Sequence, residues 1–131
     1  MHRMKNRIFL LASIAFFLFS FSAKEPLRVF LIGDSTMADK LQADFPETGW
    51  GMPFSHLFND AVEVQNHAYN GRSTKSFRTE GRWKKVFQQI KKGDYVLIQF
   101  GHNDAKVSDT SRYAPSQTDF RENLTRYVFS P

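Results

Sequence analysis

The sequence predicts an α/β domain built on a parallel sheet, and three observations support that prediction. Strand-like and helix-like patterns alternate along the chain after its first 22 residues, an order that favours parallel layers over an all-β or all-α structure. Two of the strand candidates are mostly apolar, as expected where helices cover both faces of a sheet. Polar side chains follow both of these strands directly, which indicates a site at their carboxyl ends.

The first strand is predicted over residues 27–32, a mostly apolar run that ends at Gly33. It leads straight into Asp34-Ser35-Thr36, so Ser35 is expected at a turn or at the start of a helix. Residues 61–66 alternate between apolar and polar side chains and predict the second strand.

Three helices are predicted between and after the strands, over residues 52–59, 81–90 and 120–128. The second has apolar residues at steps of three and four, a stripe that packs on a sheet, and Lys91-Lys92-Gly93 marks its end. Ser116 and Asp119 resemble a capping box before the last helix. The Pro and Gly content of residues 44–51 predicts a loop.

The third strand is predicted over residues 95–100, where only Gln99 interrupts an apolar run. It is followed by Gly101-His102-Asn103-Asp104, so a second set of polar side chains lies at a strand end. We expect this strand to be central in a complete fold. The last predicted helix would lead to a fourth strand, which this sequence does not contain, so the third strand would have a bare edge.

Residues 1–22 are expected to form a secretory signal. Three cationic residues among the first seven precede an apolar run over residues 8–21, which gives the two regions of such a signal. The alternative is an uncleaved anchor, although the run is shorter than the ~20 residues of a spanning helix. Cleavage after Ser22 would leave residues 23–131 as a secreted or periplasmic domain with no stable membrane span.

Composition limits both the partners that the chain can bind and the cross-links that can stabilise it. Three of the 18 Lys and Arg lie in residues 1–22, so the formal charge of +5 falls to +2 without them, and no basic stripe for nucleic acid remains. The absence of cysteine excludes disulfides and thiolate zinc sites. The mature chain is small for a sheet with helices on both faces, so we interpret it as part of a larger domain.

The polar residues at the strand ends fit nucleophilic chemistry at Ser35. A serine hydroxyl needs a base to take its proton and hydrogen-bond donors for the developing oxyanion. Three donors are available in principle: the N–H of Ser35, an N–H of the turn around Gly71, and the side-chain amide of Asn103. The alternative for Ser35 alone is a helix cap or turn residue.

The motifs Gly33-Asp34-Ser35, Asn70-Gly71-Arg72-Ser73 and Gly101-His102-Asn103-Asp104 resemble the first three sequence blocks of the SGNH (GDSL-type) hydrolase family. Within that family, further segments are similar to rhamnogalacturonan acetylesterases: residues 33–37, 47–51, 66–77, 80–83 and 93–104. The resemblance implies a flavodoxin-like three-layer α/β/α fold, with Ser35 as nucleophile and Gly71 and Asn103 as oxyanion donors. It also implies a secreted enzyme that removes acetyl groups from pectic polysaccharide without a metal or organic cofactor.

By the same resemblance, the catalytic His and its partner Asp belong to a late Asp-x-x-His block that this sequence does not contain. His102 adjoins Asn103, but the family pattern gives it no role as a base. We interpret His56 and His67 as structural or surface residues, and Asp104 as holding its loop by accepting backbone N–H bonds. The chain alone is therefore expected to be practically inactive.

Substrate contacts and the exact function stay open at the level of sequence. Arg72 and Arg78 are candidates for the carboxylates of a pectic substrate, and Trp50 either stacks on a sugar or packs against its loop. The alternatives are an esterase for xylan or another acylated glycan, and a non-catalytic carbohydrate-binding remnant. We favour a reading frame cut short by a frameshift or a contig end, with the complete gene encoding an ordinary esterase.

Overall fold

A computed structural model describes residues 25–41, 43 and 45–129. The predicted secretory signal and its cleavage site lie outside these residues. Within the part of the chain that the structure describes, no helix combines the length and the apolar character needed to cross a membrane.

Three parallel strands form one sheet in the order β2-β1-β3. They are β1 (Leu27–Gly33), β2 (Val62–Asn66) and β3 (Tyr95–Gln99), each within one residue of its predicted ends. The central strand of this sheet is β1, and β3 lies at an edge, where Leu97 is 37% exposed. That β3 becomes central in a longer chain stays a prediction.

The helices differ from the prediction more than the strands do. They are α1 (Gly51–Phe54), α2 (Thr74–Thr79), α3 (Arg82–Phe87) and α4 (Asp119–Phe129), and a 3-10 turn (Ser55–Leu57) follows α1. The predicted helix over residues 52–59 was therefore too long, as was the one over residues 81–90. A left-handed Gly81, with φ of 71°, separates α2 from α3.

The capping box lies at α2, a helix that was not predicted, and not at the start of α4. The box forms at α2, where Ser73 accepts from the N–H of Ser76 and the Ser76 hydroxyl accepts from the N–H of Ser73. Among the described residues the Ser116 side chain makes no hydrogen bond, so the predicted box before α4 was wrong. Two serines at this spacing satisfy the same two N–H groups as the Ser and Glu of the usual motif.

Alternate residues of β1 point to two separate hydrophobic clusters, because successive side chains of a strand point to opposite faces. Phe30 and Ile32 pack with side chains of α2, α3 and α4 on one face. Val29 and Leu31 pack on the other face with residues of the loops that follow β1 and β2. Burial on both faces of β1 gives the sheet its layered surroundings and fixes its carboxyl end inside the fold.

Candidate active site

The chain turns sharply after β1, and the buried carboxylate of Asp34 shapes that turn. Asp34 Oδ1 accepts hydrogen bonds from the N–H and the hydroxyl of Thr36, both at 2.9 Å. The Asp34 carbonyl accepts from the N–H groups of Met37 and Ala38 at 3.2 and 3.0 Å. Ser35 therefore lies at the outer start of a tight turn. It is partly exposed, and its hydroxyl has no hydrogen-bond partner among the described residues.

Hydrogen bonds join this turn to the ends of the other two strands. The Asp34 N–H donates to the Gln99 carbonyl at 3.2 Å, and Thr36 Oγ1 also lies within hydrogen-bond distance of the Gln99 side chain, 2.7 Å from Oε1. On the other side, the Tyr69 N–H donates to the Gly33 carbonyl at 3.0 Å. The neighbours of Ser35 are thus attached to the segments that follow β2 and β3.

Gly71 and Asn103, the two predicted oxyanion residues, lie on separate loops that contact each other. Asn103 is 1% exposed, and its Nδ2 donates to the Arg72 carbonyl at 2.9 Å. This bond uses one of the two amide hydrogens, and the second has no acceptor in the described part of the chain. Gly71 has a left-handed φ of 75°, and its N–H likewise donates to no described group.

Asp104 connects the Asn103 loop to the start of α2. Its Oδ1 accepts from the N–H of Thr74 at 2.9 Å and from the Thr74 hydroxyl at 2.5 Å, and Oδ2 is buried without a described partner. Burial raises the pKa of Asp104, the bonds from Thr74 oppose that shift, and the charge of Asp34 adds to it. The Asp104 carboxylate accepts a hydrogen bond from a backbone N–H, as the sequence predicted. That N–H belongs to Thr74 at the start of α2 and not to the loop of Asp104 itself.

Thr74 is a site residue that the sequence analysis missed. In addition to its two bonds to Asp104, its hydroxyl accepts from Asn123 Nδ2 at 3.1 Å and its carbonyl accepts from the Tyr127 hydroxyl at 3.0 Å. The partners of Thr74 are 30 to 53 residues away in the sequence, so no local pattern could have revealed them. The spacing of Ser73 and Ser76 was the available signal for the start of α2.

Trp50 lies beside the turn that carries Ser35. The backbone N–H of Trp50 donates to the Thr36 carbonyl at 2.9 Å, and the backbone N–H of Gly51 donates to the Met37 carbonyl at 3.1 Å. The indole packs edge to face against Phe54, with ring centroids 5.5 Å apart, and Trp50 as a residue is 39% exposed. Packing against the loop is therefore observed, and enough of the ring is exposed to contact a sugar.

The two candidate arginines lie in different places. Arg72 binds the Glu80 carboxylate through Nε at 3.0 and 3.1 Å and stacks 4.6 Å from the Tyr69 ring centroid. Arg82 binds the same carboxylate at 2.7 Å and stacks 3.7 Å from the same centroid. Arg78 instead lies 5.4 Å over the Tyr127 ring, between α2 and α4, so the expectation that it meets substrate has no support from its position.

No described histidine makes a hydrogen bond with Ser35. His102 is exposed and His56 lies in the 3-10 turn, at a surface depression of about 560 Å³ beside β2. His67 stacks on Phe30 with ring centroids 5.8 Å apart, and its burial lowers the pKa of the imidazole. Within the described ranges, no three His, Cys, Asp or Glu side chains come together as a metal site would require.

A serine at a strand-to-turn junction, with a glycine turn and a buried amide on the neighbouring strand-end loops, is typical of hydrolases that use a serine nucleophile. Residues 29–128 match the family described as GDSL-like Lipase/Acylhydrolase. The chain belongs to that family of ester-hydrolysing enzymes. Both the predicted family and the predicted α/β/α fold class are confirmed.

Two similar proteins and one solved structure are compared with this chain. The Bacillus subtilis (strain 168) rhamnogalacturonan acetylesterase RhgT is 49% identical over 94 residues, which are 72% of this chain and 40% of that protein. An Emericella nidulans rhamnogalacturonan acetylesterase is 41% identical over 76 residues, 58% of this chain and 28% of that protein. The crystal structure of B. subtilis YxiM matches with a TM-score of 0.69 and 26% identity, over 79% of this chain and 28% of that one.

The chain therefore spans less than half the length of the relatives that it matches.

Proposed function

We propose that this chain carries the nucleophile and the oxyanion donors of an acetylesterase that acts on pectic rhamnogalacturonan. The observation that supports this most directly is the bond from Asn103 Nδ2 to the Arg72 carbonyl, because it brings Gly71 and Asn103 together on the loops attached to the Ser35 turn. The 49% identity to RhgT supports the acetyl group and the pectic polymer as the substrate.

The proposed chemistry begins when Ser35 Oγ attacks the carbonyl carbon of a sugar acetate and its proton passes to a base. The carbonyl oxygen becomes an oxyanion, which accepts from the N–H groups of Gly71 and Ser35 and from the second hydrogen of Asn103 Nδ2. The tetrahedral intermediate then expels the sugar oxygen, which takes up the proton held by the base. Ser35 remains as its acetyl ester. Water hydrolyses that ester, releases acetate and restores the serine.

The proposed base lies outside this sequence, in an Asp-x-x-His block such as the resemblance implies. No described side chain accepts a hydrogen bond from Ser35 Oγ, and loss of the histidine from a serine hydrolase lowers turnover by roughly 10⁶. Such enzymes keep a rate enhancement of about 10³ to 10⁴ over the reaction in water, which comes from substrate binding and the oxyanion donors. We therefore propose that the chain by itself is practically inactive.

The substrate-binding residues in this proposal are Trp50, whose backbone bonds to the Ser35 turn, and Arg72, whose carbonyl accepts from Asn103. Trp50 has an exposed ring for a sugar face, and Arg72 offers a cation to a uronate carboxylate, although Glu80 already binds its Nε. Acetylated xylan, whose backbone sugars have no carboxylate, is the alternative polymer. A remnant that binds carbohydrate without hydrolysis is the alternative class.

Acetyl transfer to Ser35 tests the proposal most directly. The purified chain is incubated with an aryl acetate, and acetyl-Ser35 is followed by intact mass and peptide mapping. Slow labelling is expected for the wild type and for Ser116→Ala, a control serine without described partners, and none for Ser35→Ala. Asn103→Ala should lower the rate by roughly 10²-fold. Labelling that does not depend on Ser35 would contradict the proposed nucleophile.

Steady release of acetate addresses both the missing base and the polymer. Little turnover is expected on acetylated rhamnogalacturonan or acetylated xylan. Rapid turnover that disappears in Ser35→Ala would show that the chain has its own base. Saturable binding to pectin without any acetylation of Ser35 would favour the carbohydrate-binding remnant. Reading the gene beyond codon 131 for Asp-x-x-His in any frame tests whether a longer esterase is encoded.

Export is a separate part of the proposal: after cleavage following Ser22, we propose that the protein is secreted or periplasmic. Amino-terminal sequencing of protein recovered from a secreting host is expected to begin at residue 23. A cell-associated chain that keeps residues 1–22 would instead support the uncleaved anchor.

A further inference from the structure

The guanidinium of Arg112 lies between the two residues proposed as oxyanion donors. Its Nη1 is 3.4 Å from the Gly71 carbonyl oxygen and 3.4 Å from Asn103 Oδ1. Both contacts are at the long end of the hydrogen-bond range, but their donor is charged. Arg112 was not a candidate from the sequence, and it lies 41 residues from Gly71.

Asp109 anchors this guanidinium. Its Oδ2 accepts from Arg112 Nε at 2.5 Å and pairs with Arg112 Nη2, while Oδ1 accepts from the N–H and hydroxyl of Ser111. The Asp109 carbonyl also accepts from the N–H groups of Arg112 and Tyr113. The hydrogen bond from the Ser111 hydroxyl and, to a smaller extent, the one from Arg112 lower the pKa of Asp109 to about 2. The anchor therefore keeps its charge in mildly acid solution.

The two partners of the Asn103 side chain define which way its amide faces. A guanidinium can only donate and a carbonyl oxygen can only accept, so Oδ1 must face Arg112 and Nδ2 must face the Arg72 carbonyl. A flipped amide would place two donors together at Arg112 and two acceptors together at Arg72. In the observed orientation one Nδ2 hydrogen binds the Arg72 carbonyl, and the other has no acceptor among the described residues and is available for an oxyanion.

We infer that Arg112, held by Asp109, is a positioning residue that sets the orientation of the Asn103 amide in the oxyanion site. Donation to Oδ1 also polarises the amide, which makes the Nδ2 hydrogens stronger donors. The same Nη1 also donates to the Gly71 carbonyl, and this contact helps to keep the guanidinium beside Asn103. This inference rests on the proposed function for its catalytic meaning, but the orientation itself can be measured without any reaction.

The orientation is tested on the ¹⁵N-labelled full chain by hydrogen exchange of the Asn103 side-chain amide, assigned with Asn103→Asp. Arg112→Ala is expected to accelerate exchange by about 10-fold or more, because the amide loses the partner that holds Oδ1. Arg112→Lys should restore part of the protection. Arg121→Ala is the matched control, since Arg121 is exposed on α4 and its side chain makes no hydrogen bond or ion pair among the described residues.

If Arg112→Ala does not fold, Asp109→Asn releases the same guanidinium and is expected to give the same acceleration. Exchange at Asn103 that is equal in both variants and in Arg121→Ala, with folding intact, would overturn the inference.

Acetylation of Ser35 by an aryl acetate gives the second readout. Because Arg112 acts through Asn103, Arg112→Ala should slow labelling by about 10-fold, and the double variant with Asn103→Ala should be no slower than Asn103→Ala alone. Losses that multiply in the double variant would contradict a role through Asn103. If Ser35 is not acetylated at all, the proposed esterase function fails, while the exchange experiment still decides the orientation of the amide.

Discussion

The Tyr127 hydroxyl donates to the Thr74 carbonyl across 3.0 Å and thereby joins α4 to the first residue of α2. Thr74 in turn bonds the carboxylate that follows Asn103. The last described helix therefore supports the two loops of the candidate site through a continuous chain of buried hydrogen bonds. Burial of the Tyr127 phenol raises its pKa, so the hydroxyl keeps its proton and remains a donor across the ordinary pH range.

Removing the Tyr127 hydroxyl should weaken this connection at low steric cost. Tyr127→Phe keeps the ring contacts with Trp83 and Phe100 and leaves the Thr74 carbonyl without its side-chain donor. We expect a loss of about 1 kcal/mol in the free energy of unfolding, measured by urea titration. Tyr95→Phe is the control, because Tyr95 is 60% exposed. An equal effect of both substitutions would rule out a structural role for the bond.

Thr74→Val should cost more, because it removes a donor from a buried carboxylate while preserving the shape of the side chain. We expect a loss of about 1–3 kcal/mol in the free energy of unfolding. Thr125→Val is the matched control, since Thr125 is exposed on α4 and its hydroxyl donates to the carbonyl of Arg121, its one hydrogen bond among the described residues. A loss no larger than that of the control would show that the Thr74 hydroxyl does not support Asp104.

Asp104 predicts a pH dependence of stability. Its folded pKa is raised, so its stabilising contribution is full below the unfolded pKa near 4 and is lost as the pH rises through the folded pKa. Asp104→Asn retains an oxygen to accept from Thr74 and has no proton to release. The stability of the variant relative to the wild type should therefore increase as the pH rises from 4.

Urea midpoints measured for both proteins between pH 4 and pH 7 test this dependence. Asp60→Asn changes an exposed carboxylate with no described partner and should leave the pH profile unaltered. Parallel profiles for Asp104→Asn and the wild type would contradict a raised pKa at Asp104.

Gly49 tests how closely the Trp50 loop approaches the Ser35 turn. A Cβ at Gly49 would lie 2.0 Å from the Ala38 carbonyl oxygen and 2.7 Å from the Met37 carbonyl carbon. Both are backbone atoms, so Gly49→Ala must displace one loop and should cost about 1–3 kcal/mol or more in the free energy of unfolding.

Gly81→Ala separates steric overlap from backbone strain. A Cβ there meets nothing within 4 Å, but φ is +71°, so only a strain of about 1–2 kcal/mol is expected. Thermal unfolding of both variants should therefore show the larger loss for Gly49→Ala. A Gly49→Ala protein as stable as the wild type would mean that the two loops are not in contact.

Local patterns were sufficient for the strands and for the residues at their ends. Leu27–Gly33 and Tyr95–Gln99 are apolar runs that stop at polar residues, and that contrast can be read within a few positions. The local patterns were insufficient to predict the helices, because α2 and α3 have only six residues each. Such short helices depend on capping and packing more than on periodicity.

The amino-acid sequence by itself determined the α/β class, the family and the identity of Ser35, Gly71 and Asn103 as candidates, because strand periodicity and short motifs are local properties of a chain. Only the tertiary structure decided that Arg112 faces Asn103 and that Thr74 holds Asp104. These are contacts between side chains 9 and 30 residues apart. Their geometry depends on how the segments that follow β2 and β3 fold against each other at the carboxyl ends of the strands, which no local pattern specifies.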